Sequence, residues 1–420
     1  MIDLRVRNRR ARRRAGRGRG RNVLAALGAA AISVFGVQDP SHADSPPGRI
    51  RASYSFSDYQ EDKLAAHLLK SGSRQRFNVQ SHQFTVGGSV TERIDLSTNI
   101  VYESMSGATP WWVEPEPDNE LLQAMTGATI SEERVDVNLN GSFYFDSGRA
   151  GGSFGVSTEN DYLAIYGGVN GERSLNDDNT TFSGAFNFSV DRITPTGGGT
   201  LGRVVEADKY SLLVSGGLSQ ILARGTIFQS SLSYKYSDGF LSDPYKRSWI
   251  GDFTAGTVPD SRPDQRNQIA WLNQLRQHFE GINASVHLDY QFYWDDWDVT
   301  SHSFDLRWYQ NFFDGIVQII PSFRYYSQSQ PYFYAPVYFN GPRADGLASS
   351  DYRLSPFGAI SFGARIQGII NDWPGELDWR LGFQYERYES DAGWALGKVN
   401  AANPGLVDFN VYYVTLEMKY

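Results

Sequence analysis

The sequence predicts an all-β fold: a transmembrane antiparallel up-and-down β-barrel of about 16 strands (range roughly 14 to 18), with short periplasmic turns and long extracellular loops. Three observations predict it. Apolar and polar residues alternate with a period of two along the chain, the connections are alternately short and long, and the amino terminus has the build of an export segment.

The export segment comes first. Residues 1–21 hold ten Arg and one acid, Asp3; an apolar run from Val23 to Val37 follows, and then Ser41-His42-Ala43 ahead of Asp44. A positive region, an apolar run and a small-x-small cleavage site, in that order, are the three parts of a secretory signal peptide. A nucleic-acid-binding arm would also be Arg-rich, but it has no use for the apolar run. Residues 1–43 are therefore expected to be cleaved, leaving 44–420 as a single barrel domain in the bacterial outer membrane. The leader takes ten Arg and two Asp with it, so of 39 bases and 47 acids, 29 and 45 remain, a formal charge of −16 rather than −8. Nucleic acid is a poor partner for so acidic a chain, since phosphate neutralisation needs a basic face. The absence of Cys excludes disulfides and thiolate metal sites. Mean hydropathy of −0.42 excludes a polytopic helical membrane protein, whose spans of about 20 apolar residues would raise it.

The alternation is regular. Val135, Val137, Leu139, Phe143 and Phe145 interleave with Asp136, Asn138, Asn140, Ser142 and Tyr144. Ala284, Val286, Leu288, Tyr290, Phe292 and Trp294 interleave with Ser285, His287, Asp289, Gln291 and Tyr293. The same holds from Leu354 to Ile366 and from Leu377 to Tyr385. Such alternation means strands with one apolar and one polar face. Strands are expected to begin near residues 50, 74, 93, 132, 150, 162, 180, 208, 225, 266, 282, 297, 315, 351, 376 and 408. No long helix is expected; the short apolar piece from Leu64 to Leu69 is the nearest to one.

Connections sort by parity. Those after even-numbered strands are tight, as in Asn176-Asp177-Asp178-Asn179 and Phe313-Asp314-Gly315. The long ones, 105–131, 191–207, 238–265, 329–350 and 391–407, all follow odd-numbered strands. A soluble sandwich would also alternate, but here aromatics sit at strand ends: Trp294 with Trp297, Trp308 with Tyr309, Trp373 with Trp379, Tyr412 with Tyr413. Girdles at two membrane interfaces account for that placement. The final stretch places Tyr412, Val414, Leu416, Met418 and Tyr420 at every second position, which resembles the assembly signal read by the barrel-assembly machinery.

Six strings stand in a fixed order: Tyr59-Gln60-Glu61-Asp62, Ser106-Gly107-Ala108-Thr109-Pro110, Ser157-Thr158-Glu159-Asn160-Asp161-Tyr162, Gly239-Phe240-Leu241-Ser242-Asp243-Pro244-Tyr245-Lys246, Arg262-Pro263-Asp264-Gln265-Arg266 and Asp351-Tyr352-Arg353-Leu354-Ser355. Together they resemble the domain-of-unknown-function 3570 family of proteobacterial exported proteins, over essentially the whole mature chain. One departure stands out: Lys246 follows Asp-Pro-Tyr where the family pattern has Arg, and Arg247 comes one place later. The resemblance implies a barrel and no established activity. It also implies a genomic setting beside a flavin transferase, a thioredoxin-like protein and a small lipoprotein, so a periplasmic redox protein or lipoprotein is a candidate partner.

Candidate functional residues fall into two groups. Asp243, Pro244, Tyr245, Arg262, Asp264 and Arg266 lie in or beside the long loop 238–265, where the two Arg could pair with acids and fold the loop inward as a constriction. The alternative is a surface loop with local ion pairs. Arg276, His278, His287 and Asp289 have lumen parity on neighbouring strands; they form either a titratable patch or ordinary polar lining. Glu114, Glu116, Asp118 and Glu120, beside Trp111 and Trp112, read as a solvated acidic loop or as a contact to cation-bridged lipopolysaccharide, and Asp295, Asp296 and Asp298 as a tight turn. His302 has outward parity with Ser301 nearby and no orienting carboxylate, so no catalytic residue, metal or cofactor is assigned. Two functions are expected to compete: a pore for small hydrophilic solutes or ions, and a non-conducting structural or partner-docking barrel of an envelope redox system.

Overall fold

A computed structural model describes residues 50–128, 130–373 and 377–420; the expected signal peptide, 1–43, lies outside the described residues. Sixteen strands form one closed antiparallel barrel. They are β1 (Arg51–Glu61), β2 (Asn78–Ser89), β3 (Ile94–Gly107), β4 (Ile130–Phe145), β5 (Gly148–Thr158), β6 (Tyr162–Leu175), β7 (Thr180–Ile193) and β8 (Ala207–Ala223). Then follow β9 (Thr226–Gly239), β10 (Gln265–Phe279), β11 (Ala284–Asp295), β12 (Thr300–Phe312), β13 (Val317–Gln328), β14 (Phe357–Trp373), β15 (Leu377–Asp391) and β16 (Phe409–Lys419). Each pairs with its sequence neighbours, and β1 closes the ring on β16 in a continuous register from Arg51↔Lys419 to Glu61↔Phe409. Closure matters because hydrocarbon offers no partner for a free strand edge.

Alternation sets the faces. Leu139, Val169 and Phe362 are 53%, 61% and 55% exposed on the outer wall, where lipid covers them. Between them the inward residues are polar, so only every second strand residue is apolar, which explains a hydrophilic average in a chain that is 14% aromatic. The short turns supply left-handed backbone from residues that tolerate it: Asn176, Asp177 and Asp178 have φ of 55°, 51° and 64°. Helical structure among the described residues is confined to 3₁₀ turns, one of them Ala66–Leu68 within the short apolar piece expected from sequence.

Two expectations need correction. The strand expected from residue 351 begins at Phe357, because Asp351 caps the 3₁₀ turn Tyr352–Leu354, its side chain accepting from the Arg353 amide at 3.1 Å. The aromatic pairs are not all girdle pairs. Trp294 is 39% exposed on the lipid face, but Trp297 is 2% exposed inside a loop cluster with Val299, Phe333, Tyr334 and Leu354. Trp308 stacks outside on Phe279 at 5.8 Å, whereas Tyr309 points into the lumen against His287, ring centres 4.2 Å apart. Adjacent strand residues face opposite ways, so a neighbouring pair can give only one member to lipid. The side chain of Trp373 lies outside the described residues.

Candidate functional site

The eight connections on the loop side are L1 (62–77), L2 (108–129), L3 (159–161), L4 (194–206), L5 (240–264), L6 (296–299), L7 (329–356) and L8 (392–408). Six strands separate L2 from L5, four separate L5 from L7, and six separate L7 from L2. Loops spaced so evenly around a ring can meet only by crossing its mouth. They do meet: Val113 of L2, Trp249 of L5 and Val337 of L7 are buried in one apolar cluster. Residues Trp249–Ile250 also pair in parallel with Val337–Tyr338, tying L5 to L7 by backbone hydrogen bonds.

Lys246 of L5 stands at the junction. Its ammonium donates to the Thr109 hydroxyl at 3.1 Å and to the Pro110 carbonyl, both of L2, and lies 5.3 Å from the centre of the Tyr352 ring of L7. Around it run three acids and two further bases. Arg262 donates to Asp260 and to Asp351, each at 2.8 Å. Arg353 pairs with Asp351 and reaches Asp243 at 2.6 Å. Asp243, Asp260 and Asp351 thus balance Lys246, Arg262 and Arg353 charge for charge. Burial penalises each ion; the Arg–Asp pairs offset it for Asp351, Arg262 and Arg353, whereas Lys246 has no ion pair among the described residues and is held by the Thr109 hydroxyl, the Pro110 carbonyl and the Tyr352 ring.

The remaining loops lock onto this centre. The Tyr245 hydroxyl donates to Asp161 of L3 and accepts from the Thr196 amide of L4 at 3.0 Å. Arg203 of L4 donates to the Pro244 carbonyl at 2.9 Å and packs 4.5 Å from the Tyr245 ring centre. Arg76 of L1 donates to the carbonyls of Gly405 and Leu406 in L8, while Asn403 of L8 donates to the Tyr334 hydroxyl of L7 at 2.8 Å. Trp297 of L6 packs edge-on against Phe333 of L7, ring centres 5.1 Å apart. All eight loops thus interlock across the mouth as a plug.

Electrostatics follow from burial and pairing. Burial works to raise the Asp351 carboxyl, but Arg353, Lys246 and Arg262 outweigh it and hold the group well below the usual carboxylate range. Burial pushes the Lys246 ammonium down to about 8, against the pull of Asp351. A solvated lysine keeps its proton to about 10.4. Between those values the packed plug binds fewer protons than the opened one, so its stability rises with pH through that window. From pH 8 to pH 10 the urea midpoint at which the buried Trp249 and Trp297 become exposed, read by fluorescence, is therefore expected to change more favourably in the native chain than in Lys246→Met, where the burial-raised hydroxyls of Tyr334 and Tyr352 act with the opposite sign and without Lys246 to offset them. An equal change in the native chain and in Lys246→Met would refute the lowered ammonium.

Most of the expected loop residues converge here. Asp243, Pro244, Tyr245 and Arg262 belong to the plug, and Arg266 pairs with the buried Asp295 at its rim, its guanidinium 4.2 Å from the Trp297 ring centre. Asp264 is exposed, contributing only its carbonyl to the Gly239 amide. Sequence reasoning assigned no role to Lys246, Asp260, Asp351, Arg353, Arg76 or Asn403. Three of these six, Lys246, Asp351 and Arg353, stand in the strings that carry the family resemblance, and that was the available signal. Asp295 caps its turn, accepting from the Trp297 and Val299 amides at 3.0 Å each. In the acidic stretch of L2, Lys70 clamps Glu114 and Glu116 at 3.2 and 2.5 Å.

In the lumen, Arg276 pairs with Asp289 and stands opposite His287 in the β10–β11 register. His278 lies nearer the turn side and bonds the Ser285 hydroxyl at 3.0 Å, so the two histidines are diagonal neighbours with separate partners. His302 meets the Tyr290 hydroxyl at 2.9 Å on the outer face. Tyr412, Val414 and Leu416 lie on the lipid face of β16, Met418 shares their parity, and the Tyr420 amide donates to the Ile50 carbonyl at 3.0 Å. Beyond the plug, a cavity of about 670 Å³ opens on the inner wall of β12–β16 towards the turns.

No curated protein matches the chain significantly. Among solved structures, a bacterial polysaccharide outer membrane secretin aligns at TM-score 0.44 and 10% identity over 88% of this chain and 97% of its own. CdiB from Acinetobacter baumannii aligns at 0.47 and 8% over 88% and 60%, and OpdK of Pseudomonas aeruginosa, solved with vanillate, at 0.37 and 9% over 88% and 98%. At such identities no residue role passes from them to this chain. The family described as "Protein of unknown function (DUF3570)" matches residues 24–211 and 204–405, and the chain belongs to it.

Proposed function

We propose that the protein is a gated outer-membrane pore for small hydrophilic solutes or ions, held closed at rest by its loop plug. Signal peptide, turn-and-loop asymmetry and carboxy-terminal strand support the location, with the turns periplasmic and the barrel-assembly machinery as the inserting partner. A barrel of about 16 strands encloses a lumen wide enough for water unless loops fill it. The observation that carries the reading is the junction at Lys246: one side chain joins L2, L5 and L7 above a polar, charged lumen. Ion pairs, hydrogen bonds and two small apolar clusters, one around Trp249 and one around Phe333, hold the plug, and a gate would exchange them for water.

The test is conductance in planar bilayers. The native chain is expected to be nearly silent, and a variant with residues 244–260 replaced by a short Gly-Ser link to conduct in discrete steps. Silence from both, with the variant still heat-modifiable on gels, would overturn the pore. That outcome would favour a non-conducting barrel, a reading supported by the fully buried Phe333 at the heart of the plug, with docking of a periplasmic redox protein or lipoprotein as its proposed use.

A further inference from the structure

The lumen carries a second charged constellation, apart from the plug. Four guanidiniums face the 670 Å³ cavity: Arg307 on β12, Arg324 on β13, Arg365 on β14 and Arg380 on β15. Three carboxylates share it: Asp305, Glu386 and Glu417. The acids neutralise the bases only in part. Arg324 stands 3.7 Å from Asp305 and Arg380 3.6 Å from Glu417. Both distances exceed the roughly 2.7–2.9 Å of a direct charge-assisted hydrogen bond. Arg380 also keeps a buried Nε without a partner among the described residues.

Arg307 and Arg365 have no ion pair among the described residues. Arg365 is nevertheless held in place: it donates to the Thr415 hydroxyl at 3.1 Å and lies flat over Gly382, where a Cβ would come within 3.1 Å of its Nη2. Gly382 thus leaves room for a fixed guanidinium with unused donors turned to the cavity. Glu386 stands in the same register row as Arg307, through Gly363 and Ser322, and has no ion pair among the described residues. Four cations against three anions leave a local surplus of one positive charge on the cavity lining, in a chain that is acidic overall.

We infer that this wall binds small oxyanions, carboxylate or phosphate, and gives the lumen its preference among solutes. A guanidinium presents a planar fork of donors matched to two oxygens of either group. A cavity of this size accepts a few-carbon acid or a phosphate with its first waters. Glu386 opposes the binding and limits its strength, so anions are retained weakly enough to leave, as passage demands. The inference rests on the pore reading where it speaks of passage, but binding stands independently of conduction.

The test separates the two. Titration calorimetry on the detergent-solubilised full chain, with succinate and with inorganic phosphate as probes, is expected to show binding that falls at least tenfold in the double variant Arg307→Gln, Arg365→Gln and strengthens in Glu386→Gln. The tighter of the two probes identifies the source. In the variant with 244–260 replaced, a salt gradient should give a reversal potential favouring anions, and the added double substitution should move it towards cations. Absent binding, or binding and potential indifferent to the double substitution in a heat-modifiable protein, overturns the oxyanion site while leaving a conducting pore in place. Binding that the double substitution removes from a barrel that never conducts upholds the site and rejects the pore.

Discussion

Deleting Phe409–Tyr420 is expected to abolish the heat-modifiable barrel altogether. β16 is paired on both sides, to β1 from Arg51↔Lys419 onward and to β15 from Asp378↔Lys419 to Tyr388↔Phe409. Its loss would bare two edges, each a row of backbone N–H and C=O groups in hydrocarbon, at a cost of several kcal/mol per unsatisfied group. That total exceeds the roughly 5–15 kcal/mol by which a folded domain outlasts its unfolded chain. Reclosure with fifteen strands offers no escape, because β1 and β15 run in the same direction and would have to pair in parallel with a new register. A milder change on the same strand, Leu416→Arg, places a charge on the lipid face and should cost about 2–4 kcal/mol while leaving a barrel that still shifts on boiling. A truncated chain that migrates as a compact, heat-modifiable species would contradict the closure described here.

The barrel was legible in the sequence because lipid imposes one rule on every spanning residue. All sixteen strands begin within six residues of the expected positions, and the largest error, at 351 against Phe357, has a local cause in the Asp351 cap. Where the rule ends, so does legibility. Leu354 alternates like a strand residue yet packs against Trp297, and Trp297 has the type of a girdle residue but no lipid to face. The plug is built from contacts between distant positions: Lys246 and Thr109 are 137 residues apart, Arg262 and Asp351 are 89 apart. Such pairs leave no period in the sequence. What they left was a set of short polar strings, and those strings, from Thr109-Pro110 through Asp243-Pro244-Tyr245-Lys246 to Asp351-Tyr352-Arg353, turn out to be the pieces that meet. Arg262 does pair with acids, but one partner on which it depends, Asp351, was expected on a strand.

Asp351→Asn should open the plug while sparing the barrel. The carboxylate is fully buried as a side chain, accepts from both Arg262 and Arg353, and caps the turn that carries Tyr352. Neutralising it leaves Lys246, Arg262 and Arg353 with only Asp243 and Asp260, one uncompensated charge in a set that water scarcely reaches. Breaking a buried pair in this way costs about 3–5 kcal/mol, more than a small apolar cluster and a few hydrogen bonds can offset. Protease cutting within L5 and L7 should accelerate by two orders of magnitude or more, and the wall of sixteen strands should keep its heat-modifiable mobility. Charge balance makes a sharper demand. Adding Lys246→Met restores neutrality, so the double variant should be cut more slowly than Asp351→Asn alone, the two changes coupling because their side chains share one network. If the double variant is instead cut faster than either single one, the charges act independently and the plug is held by its apolar contacts: Trp249 against Val113 and Val337, not the ions around Lys246, would then be the latch.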